Sequence, residues 1–256
     1  MSRSIQTAAN KLKQSKLLKN AAPKIKQILD AHKPYMQILP QEIKDMLPPS
    51  KTTQKASILI PIIHVVDTQD ENSAQIPSIL FTTRAKHLKQ HASQISFPGG
   101  HVDEEDGNCL IRAAIRETRE ELSPPPNTLK NESIEYGYDF ENNVEILGRT
   151  GTIPSMKLIP VTPIVGMFQH EFTKEQIQKF FPGNESEVEH VFTVPIDELI
   201  RMEERESLNR LGMTAAYYNT KHGKIWGLTA VVLEPILKYV LKPVFLDTVE
   251  DMKGKL

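Results

Sequence analysis

Ser96-Phe97-Pro98-Gly99-Gly100, then a polar loop, then Arg116-Glu117-Thr118-Arg119-Glu120-Glu121-Leu122 is the stretch on which the reading of this chain turns. On an ideal helix of about 100° per residue with Glu117 at zero, Ile111, Ala114, Ile115, Thr118 and Leu122 fall between about 60° and 160°. They form an apolar stripe for a core. Arg112, Arg116 and Arg119 lie near 200° to 260°, and Glu117, Glu120 and Glu121 share the sector between, within about 100° of one another. A helix is therefore expected from Asn108 to Leu122, with one face for packing, one cationic and one carrying three carboxylates.

Spacings of i, i+3 and i+4 bring Cβ atoms to roughly 5–6 Å, so the three carboxylates repel unless a cation sits among them. Mg²⁺ or Mn²⁺ suits such a group, because hard cations take carboxylate oxygens together with substrate phosphates. A diphosphate needs that help: its oxygens repel a nucleophile, and bound metal ions neutralise the charge and acidify water. Arg116 stands one turn before Glu120 and can hold its carboxylate. The glycine pair removes two Cβ atoms, so the backbone can turn sharply and approach a metal or phosphate, with a carbonyl available as a ligand. Alone, Arg-Glu-x-x-Glu-Glu is a common solvated helix face and Gly-Gly a common turn. Their combination, in this order, points to a metal-dependent site.

Outward from the helix, Ile58–Val66 and Ser78–Thr83 are β-branched runs joined by the polar Asp67–Ser73, which predicts a hairpin. Further strands are expected at Val144–Leu147, Val161–Met167 and Val188–Val194, and helices at Thr173–Phe181 and Leu228–Leu241. Mixed strands with few helices predict an α+β or α/β/α domain over residues 55–245. Residues 1–50 form a lysine-rich helical extension closed by Pro48-Pro49-Ser50, and 246–256 a short tail. No internal repeat or low-complexity tract is present.

The extension carries seven basic residues and no acid before Asp30. That pattern suits an organelle transit peptide, and equally a solvated basic helix or arm. Gly254-Lys255-Leu256 lacks the serine of the Ser-Lys-Leu peroxisomal address, and coincidence accounts for it better. Across all 256 residues, 39% are hydrophobic and 25% charged, ordinary for a chain that folds around its own core. A formal net charge of -1 creates no general attraction to nucleic acid or an acidic membrane. No run reaches about 18 apolar residues, so a membrane-spanning helix is not expected. The single cysteine, Cys109, excludes an internal disulfide and a CxxC zinc site, and glycine-rich P-loop and zinc-protease patterns are both missing.

The Gly-Gly, loop and Arg-Glu-Thr-Arg-Glu-Glu-Leu arrangement resembles the box of the Nudix family, G-x5-E-x7-R-E-U-x-E-E-x-G-U. Arg116, Glu117, Glu120 and Glu121 match its R-E-x-x-E-E core. Counting back from Arg116 puts the first box glutamate on Asn108 and the first glycine on Val102, and Ser123-Pro124 replace the closing glycine and apolar residue. The resemblance implies a Nudix-type α/β/α sandwich with a mixed sheet and a catalytic loop-helix-loop, with Glu117, Glu120 and Glu121 as metal ligands. Arg84, Leu88, His91 and Ile95–Gly100 follow the signature of the family's coenzyme A diphosphatase branch, with Ser93 in place of a glycine. Thr162–Gly166, Asn184-x-x-Glu187-Val188, Val191-Phe192-x-Val194-Pro195 and Ile225–Ala230 are similar to it too. The likeness spans residues 56 to about 240 and is strongest to mitochondrial members, which implies coenzyme A or acyl-coenzyme A as substrate and a mitochondrial location, with cytoplasm or peroxisome as alternatives.

Single residues extend the expectation. Glu117, Glu120, Arg116 and Glu187 are the candidate catalytic group, with Glu187 as a fourth carboxylate or a general base reaching the attacking water. Arg84, His91, Gly99 and Gly100 are candidate substrate contacts, since the arginine fork suits phosphate oxygens; a strand-end arginine and a loop histidine are the plainer alternatives for the first two. Trp226 reads as a core anchor rather than a stacking surface. Two other functions stay open: cleavage of a different nucleoside-diphosphate-linked compound, and a non-catalytic binding module of the same family. NADH-cleaving relatives carry a Ser-Gln-Pro-Trp-Pro-Phe-Pro tail that this chain lacks. An isomerase on this fold would want a strand cysteine, and Cys109 is badly placed for it. Nothing in the sequence fixes the oligomeric state.

Overall fold

The computed structural model describes residues 16–31, 54–66, 75–123, 138–207 and 214–246. The hairpin loop Asp67–Ser73, Pro48-Pro49-Ser50, Pro124, the first fifteen residues and most of the 246–256 tail lie outside them. The chain begins its described course with helix α1 (Lys16–Ala31) and strands β1 (Ala56–Val65) and β2 (Ile76–Arg84). Short strands β3 (Ile95–Ser96) and β4 (Gly99–His101) lead through a 3-10 turn (Glu104–Asp106) into helix α2 (Leu110–Leu122). Then come α3 (Phe140–Asn143), β5 (Val144–Arg149), β6 (Ile153–Pro154), the long β7 (Pro160–Phe172), α4 (Lys174–Phe180), β8 (Val188–Pro195) and α5 (Ile196–Arg201). A three-stranded sheet of β9 (Glu203–Ser207), β10 (Thr214–Thr220) and β11 (Gly223–Ile225) precedes α6 (Gly227–Ile236), a wide turn at Leu237–Leu241 and α7 (Lys242–Phe245).

β1 and β7 run parallel at the centre of an eight-stranded mixed sheet, with Ala56 opposite Val161 and Ile62 opposite Met167. The other pairings are antiparallel: β1–β2 is the expected hairpin, β8 lies on the outer edge of β2, β5 on that of β7, and β4 pairs with the first residues of β1. Because β1 is covered on both faces, it reads as an almost unbroken apolar run rather than an alternating one. The period of two still sorts its side chains. Ile60 and Ile62 join one core with Ile79, Phe81, Val165 and Met167; Leu59, Ile63 and Val65 join the other with Leu80, Ile164 and Phe168. The second core receives Ala114, Ile115 and Leu122 of α2 and a cluster of edge-to-face rings around Tyr138, Phe168 and Phe181. The result is the expected α/β/α sandwich.

Three features depart from expectation. Ile111, placed on the packing stripe, is 42% exposed, and Ala113 is buried instead, while Leu110 of the same turn packs against the second core. The β9–β11 sheet and α5 were not foreseen, since Glu203–Ser207 is polar throughout and exposed along its length. Helix α1, inside the stretch read as an extension, buries Ala21, Ala22, Ile25 and Leu29 in the first core, and Lys26 pairs with Glu145 at 2.5 Å. Among the described residues no helix is long and apolar enough to cross a membrane.

His64 on β1 is fully buried, and burial lowers its pKa from 6.5 to about 4. A lowered folded-state pKa means that the unfolded chain binds more protons between pH 6.5 and 4, so His64 costs stability as the pH falls through that window. The cost reaches up to about 3 kcal/mol at the acid end. A His64→Gln variant is expected to lose less of its thermal midpoint between pH 6.5 and 4 than the wild type, measured by calorimetry; parallel losses would refute the assignment.

Candidate active site

Strand β4 sets the stage by laying Gly100 opposite Ser57 and Gly99 opposite Ile58. At Gly99 φ is +145°, in the region that favours glycine, and a Cβ there would press within 3.0 Å of the Ile58 side chain. At Gly100 a Cβ would sit 2.7 Å from Glu117 Oε1 and closer still to Oε2. Gly100 is therefore the cradle for the first helix carboxylate, and Gly99 lets β4 lie close against β1.

Arg116 is only 9% exposed and is the hub of the group. Its Nε and Nη2 donate to the two oxygens of Asp106 at 3.0 and 2.9 Å, and Nη2 also reaches the His101 carbonyl at 3.0 Å. Its Nη1 donates to Glu117 at 3.1 Å and Glu120 at 3.2 Å, the second being the i+4 bond expected from the sequence. The hydrogen bond and charge of Arg116 hold the Asp106 carboxyl below the usual range, and Asp106 in turn raises Arg116 above its own.

Asp106 was missed at the sequence level. The fixed box spacing pointed to Asn108, but Gly107 (φ 59°) and Asn108 (φ 61°) both adopt left-handed backbone. That two-residue reversal moves the arginine's partner two positions upstream. The Asp103–Asp106 repeat was the available signal: the Asp103 amide donates to Asp106 Oδ2 at 2.8 Å and fixes the carboxylate that receives Arg116.

Glu121 is the most enclosed carboxylate of α2, 3% exposed, with Oε2 buried and without a hydrogen-bond partner. Burial pushes its pKa up to about 8; Glu187 and Glu117 push it the same way, while Arg84 and the Gly99 amide pull it down. Glu117 is raised too, first by burial and then by Glu120 and Glu187, against the pull of Arg116. Glu187, half-buried at the end of a distal turn, thus acts on both helix carboxylates.

The chain matches the NUDIX domain family over residues 60–216, more than half its length. The chain belongs to the Nudix family. It is 32% identical over 195 residues to an uncharacterized Nudix hydrolase NudL of Yersinia pestis (strain Pestoides F), covering 75% of this chain and 82% of that protein. The same figures hold for the NudL of Yersinia pseudotuberculosis serotype O:1b. Among solved structures, a MutT/nudix family protein from Enterococcus faecalis aligns over 82% of this chain and 72% of its own, at 13% identity and a TM-score of 0.40. One from Listeria innocua aligns over 59% and 83%, at 16% identity and a TM-score of 0.37.

Nudix hydrolases use divalent cations such as Mg²⁺ or Mn²⁺, and the residues present fit one. Glu121 presents an orphaned buried oxygen, and the Glu117 carboxylate lies in a cradle that a Cβ would fill. A divalent cation would offset the burial that disfavours both charges. Glu117, Glu120 and Glu121 would hold it. Among the described residues no three acidic, imidazole or thiol side chains stand close enough together to hold a metal ion by themselves, so substrate phosphate or water oxygens would complete the shell.

The other expected Nudix site residues divide. Arg84 lies on the group's border, its charge acting on Glu121 and its Nε buried without a hydrogen bond. His91 is exposed at φ 56° and pairs with Gln94 of its own turn at 2.9 Å; no contact among the described residues ties it to the carboxylates. Trp226, expected in the core, is 48% exposed as the residue preceding α6, because Ile225 takes the buried place at the end of β11. Cys109 caps α2 with its backbone alone.

Proposed function

We propose that this Nudix hydrolase cleaves the diphosphate of coenzyme A or acyl-coenzyme A, releasing 3′,5′-ADP and 4′-phosphopantetheine or its acyl form. Glu117 lies against Gly100 and Glu121 is reached by the Gly99 amide, and the charges of Glu120 and Glu187 act on them, which supports the diphosphate chemistry. The choice of coenzyme A is supported by the Arg84, Leu88, His91 and Ile95–Gly100 run and by the Asn184-x-x-Glu187 turn that its branch shares. A mitochondrial setting is part of the same proposal and is supported by the basic, acid-free first fifteen residues, since α1 beyond them packs into the core.

A divalent cation held by Glu117, Glu120 and Glu121 would supply charge neutralisation at the phosphate oxygens. The chain's own groups do the rest. Arg116 fixes the carboxylates of Glu117 and Glu120 in one orientation, so little reorganisation remains at the reaction step. Arg84 offers a fork to a phosphate oxygen beside Glu121. Glu187, whose charge acts on both Glu117 and Glu121, is the group proposed to accept the proton of the attacking water or to complete the carboxylate set. A non-catalytic module would be expected to have lost some of these acids, and all four are present.

The test is incubation of the purified protein with Mg²⁺ or Mn²⁺ and coenzyme A, acetyl-coenzyme A, NADH or ADP-ribose, with products resolved by chromatography. 3′,5′-ADP from the coenzyme A compounds, formed faster than products from the others, is the expected outcome. Turnover of NADH or ADP-ribose alone would replace the substrate assignment, and no turnover of any would favour a binding role. Glu120→Gln is expected to lower turnover on the order of 100-fold while leaving the fold intact, because the exposed carboxylate serves the metal rather than the core. Near-normal activity would remove Glu120 from the ligand set.

A further inference from the structure

Helix α2 ends in an unusual way. The closing glycine of the box is replaced by Ser123-Pro124, and a helix leaves its last carbonyls without partners inside itself. Two of them are taken up by a distant segment: the Gly183 amide donates to the Leu122 carbonyl at 3.1 Å and the Asn184 amide to the Glu121 carbonyl at 2.8 Å. Gly183 achieves this with φ +86° and with Val188 Cγ1 only 3.2 Å from where a Cβ would be. The turn between α4 and β8 thus caps the glutamate helix, and the same turn delivers Glu187.

We infer that Asn184 is a positioning residue that sets Glu187 in register with the helix carboxylates; the inference rests on the role proposed above for Glu187. Asn184 is bonded in three directions. Its amide holds the end of α2. Its carbonyl accepts from the Glu187 amide at 2.8 Å and the Val188 amide at 2.7 Å. Its side-chain oxygen accepts from Ser186, at 3.2 Å from the amide and 2.7 Å from the hydroxyl. On the far side of the turn the Glu187 carbonyl accepts from the Ala85 amide at 2.9 Å, and the Ser186 carbonyl lies 3.0 Å from His87 Nε2. Glu187 is therefore strung between the end of α2 and the exit of β2, where Arg84 sits. Any residue at 184 supplies the backbone bonds. The side-chain oxygen adds the two bonds that tie Ser186 into the turn, so its loss loosens the segment carrying Glu187 while the backbone bonds and the sheet stay paired.

The experiment compares Asn184→Ala, Asn184→Asp, Glu187→Gln and the Asn184→Ala/Glu187→Gln double variant in the full chain. Two readouts serve: Mn²⁺ binding, followed by the electron paramagnetic resonance of the free ion, and turnover of coenzyme A. Asn184→Ala is expected to lower kcat about tenfold, as loss of one or two hydrogen bonds allows, with KM changed by less than about twofold. It should also shift the half-saturating Mn²⁺ concentration in the direction that Glu187→Gln shifts it. Asn184→Asp, which keeps the acceptor, should recover most of both, and the double variant should be no slower than Glu187→Gln alone. If Glu187→Gln changes neither readout, the role of Glu187 is wrong. If it does and Asn184→Ala matches the wild type, or moves only the thermal midpoint, the positioning role is overturned. Should Asn184→Ala not fold, Ser186→Ala removes the 2.7 Å bond alone. A smaller loss with the same kcat and Mn²⁺ signature is then expected, and an unchanged enzyme would overturn the inference.

Discussion

Arg116→Met is expected to abolish measurable turnover and to destabilise the fold by about 3 kcal/mol, the cost of leaving a buried charge without its partner. The arginine makes two bonds to Asp106, which is itself 2% exposed, and one each to Glu117, Glu120 and the His101 carbonyl. A methionine fills the space and answers none of them. The pH dependence should change as well. Arg116 holds the Asp106 carboxyl below its usual range, so the pair's stabilisation is complete above the unfolded carboxylate pKa of about 4 and is lost as pH falls through the depressed folded value. Arg116→Met removes that dependence, and Asp106→Asn should restore part of the stability lost by Arg116→Met without restoring turnover. Calorimetry and the product assay read the two effects separately. A variant as stable as the wild type would mean that the hub carries no structural weight.

Gly100→Ala is expected to lower turnover on the order of 100-fold through a single added methyl group, with far less effect on stability. The new Cβ would fall on the Glu117 carboxylate, which must swing away because the backbone of β4 is fixed by pairing with Ser57 and Ile58. Glu117 then leaves Arg116 Nη1, and one carboxylate is lost from the set proposed to hold the cation. Gly99→Ala is the useful contrast. There the added atom strikes the Ser57 and Ile58 backbone, so stability should fall along with activity. Equal loss of stability in both variants would show that Gly100 serves the sheet rather than the carboxylate.

The carboxylate helix was legible because periodicity of 3.6 sorts Glu117, Glu120 and Glu121 onto one face whatever surrounds them. The strands of the central sheet were legible for a related reason: β-branched runs such as Ile58–Val65 have few other places to go. Three things lay beyond such local signals. The partner of Arg116 depended on two left-handed residues that shift the count, and backbone handedness at Gly107-Asn108 leaves little trace in composition. The apolar side of α1 was visible only as a helix among lysines, since nothing local says which surface Ile25 and Leu29 will meet. Trp226 misled because aromatic bulk predicts burial on average, whereas its place at the start of α6 is set by which neighbour, Ile225, the β11 pleat turns inward. Arg84 and Glu187 stood out only through family likeness; their approach to Glu121 is made by strand pairing across β2 and β8.

The order in which this polypeptide is made bears on when it becomes competent. Glu121 and Leu122 emerge from the ribosome well before Gly183 and Asn184, the residues that satisfy their carbonyls, and β1 must wait for β7 before its inner edge is paired. Domains assemble as units during synthesis, so a nascent chain halted short of Pro160 holds an acid-rich helix whose last carbonyls lack Gly183 and Asn184, and a β1 whose edge lacks β7. Such a chain is exposed to chaperones and proteases, and it gains a closed acidic centre only after the turn carrying Gly183, Asn184 and Glu187 has been translated.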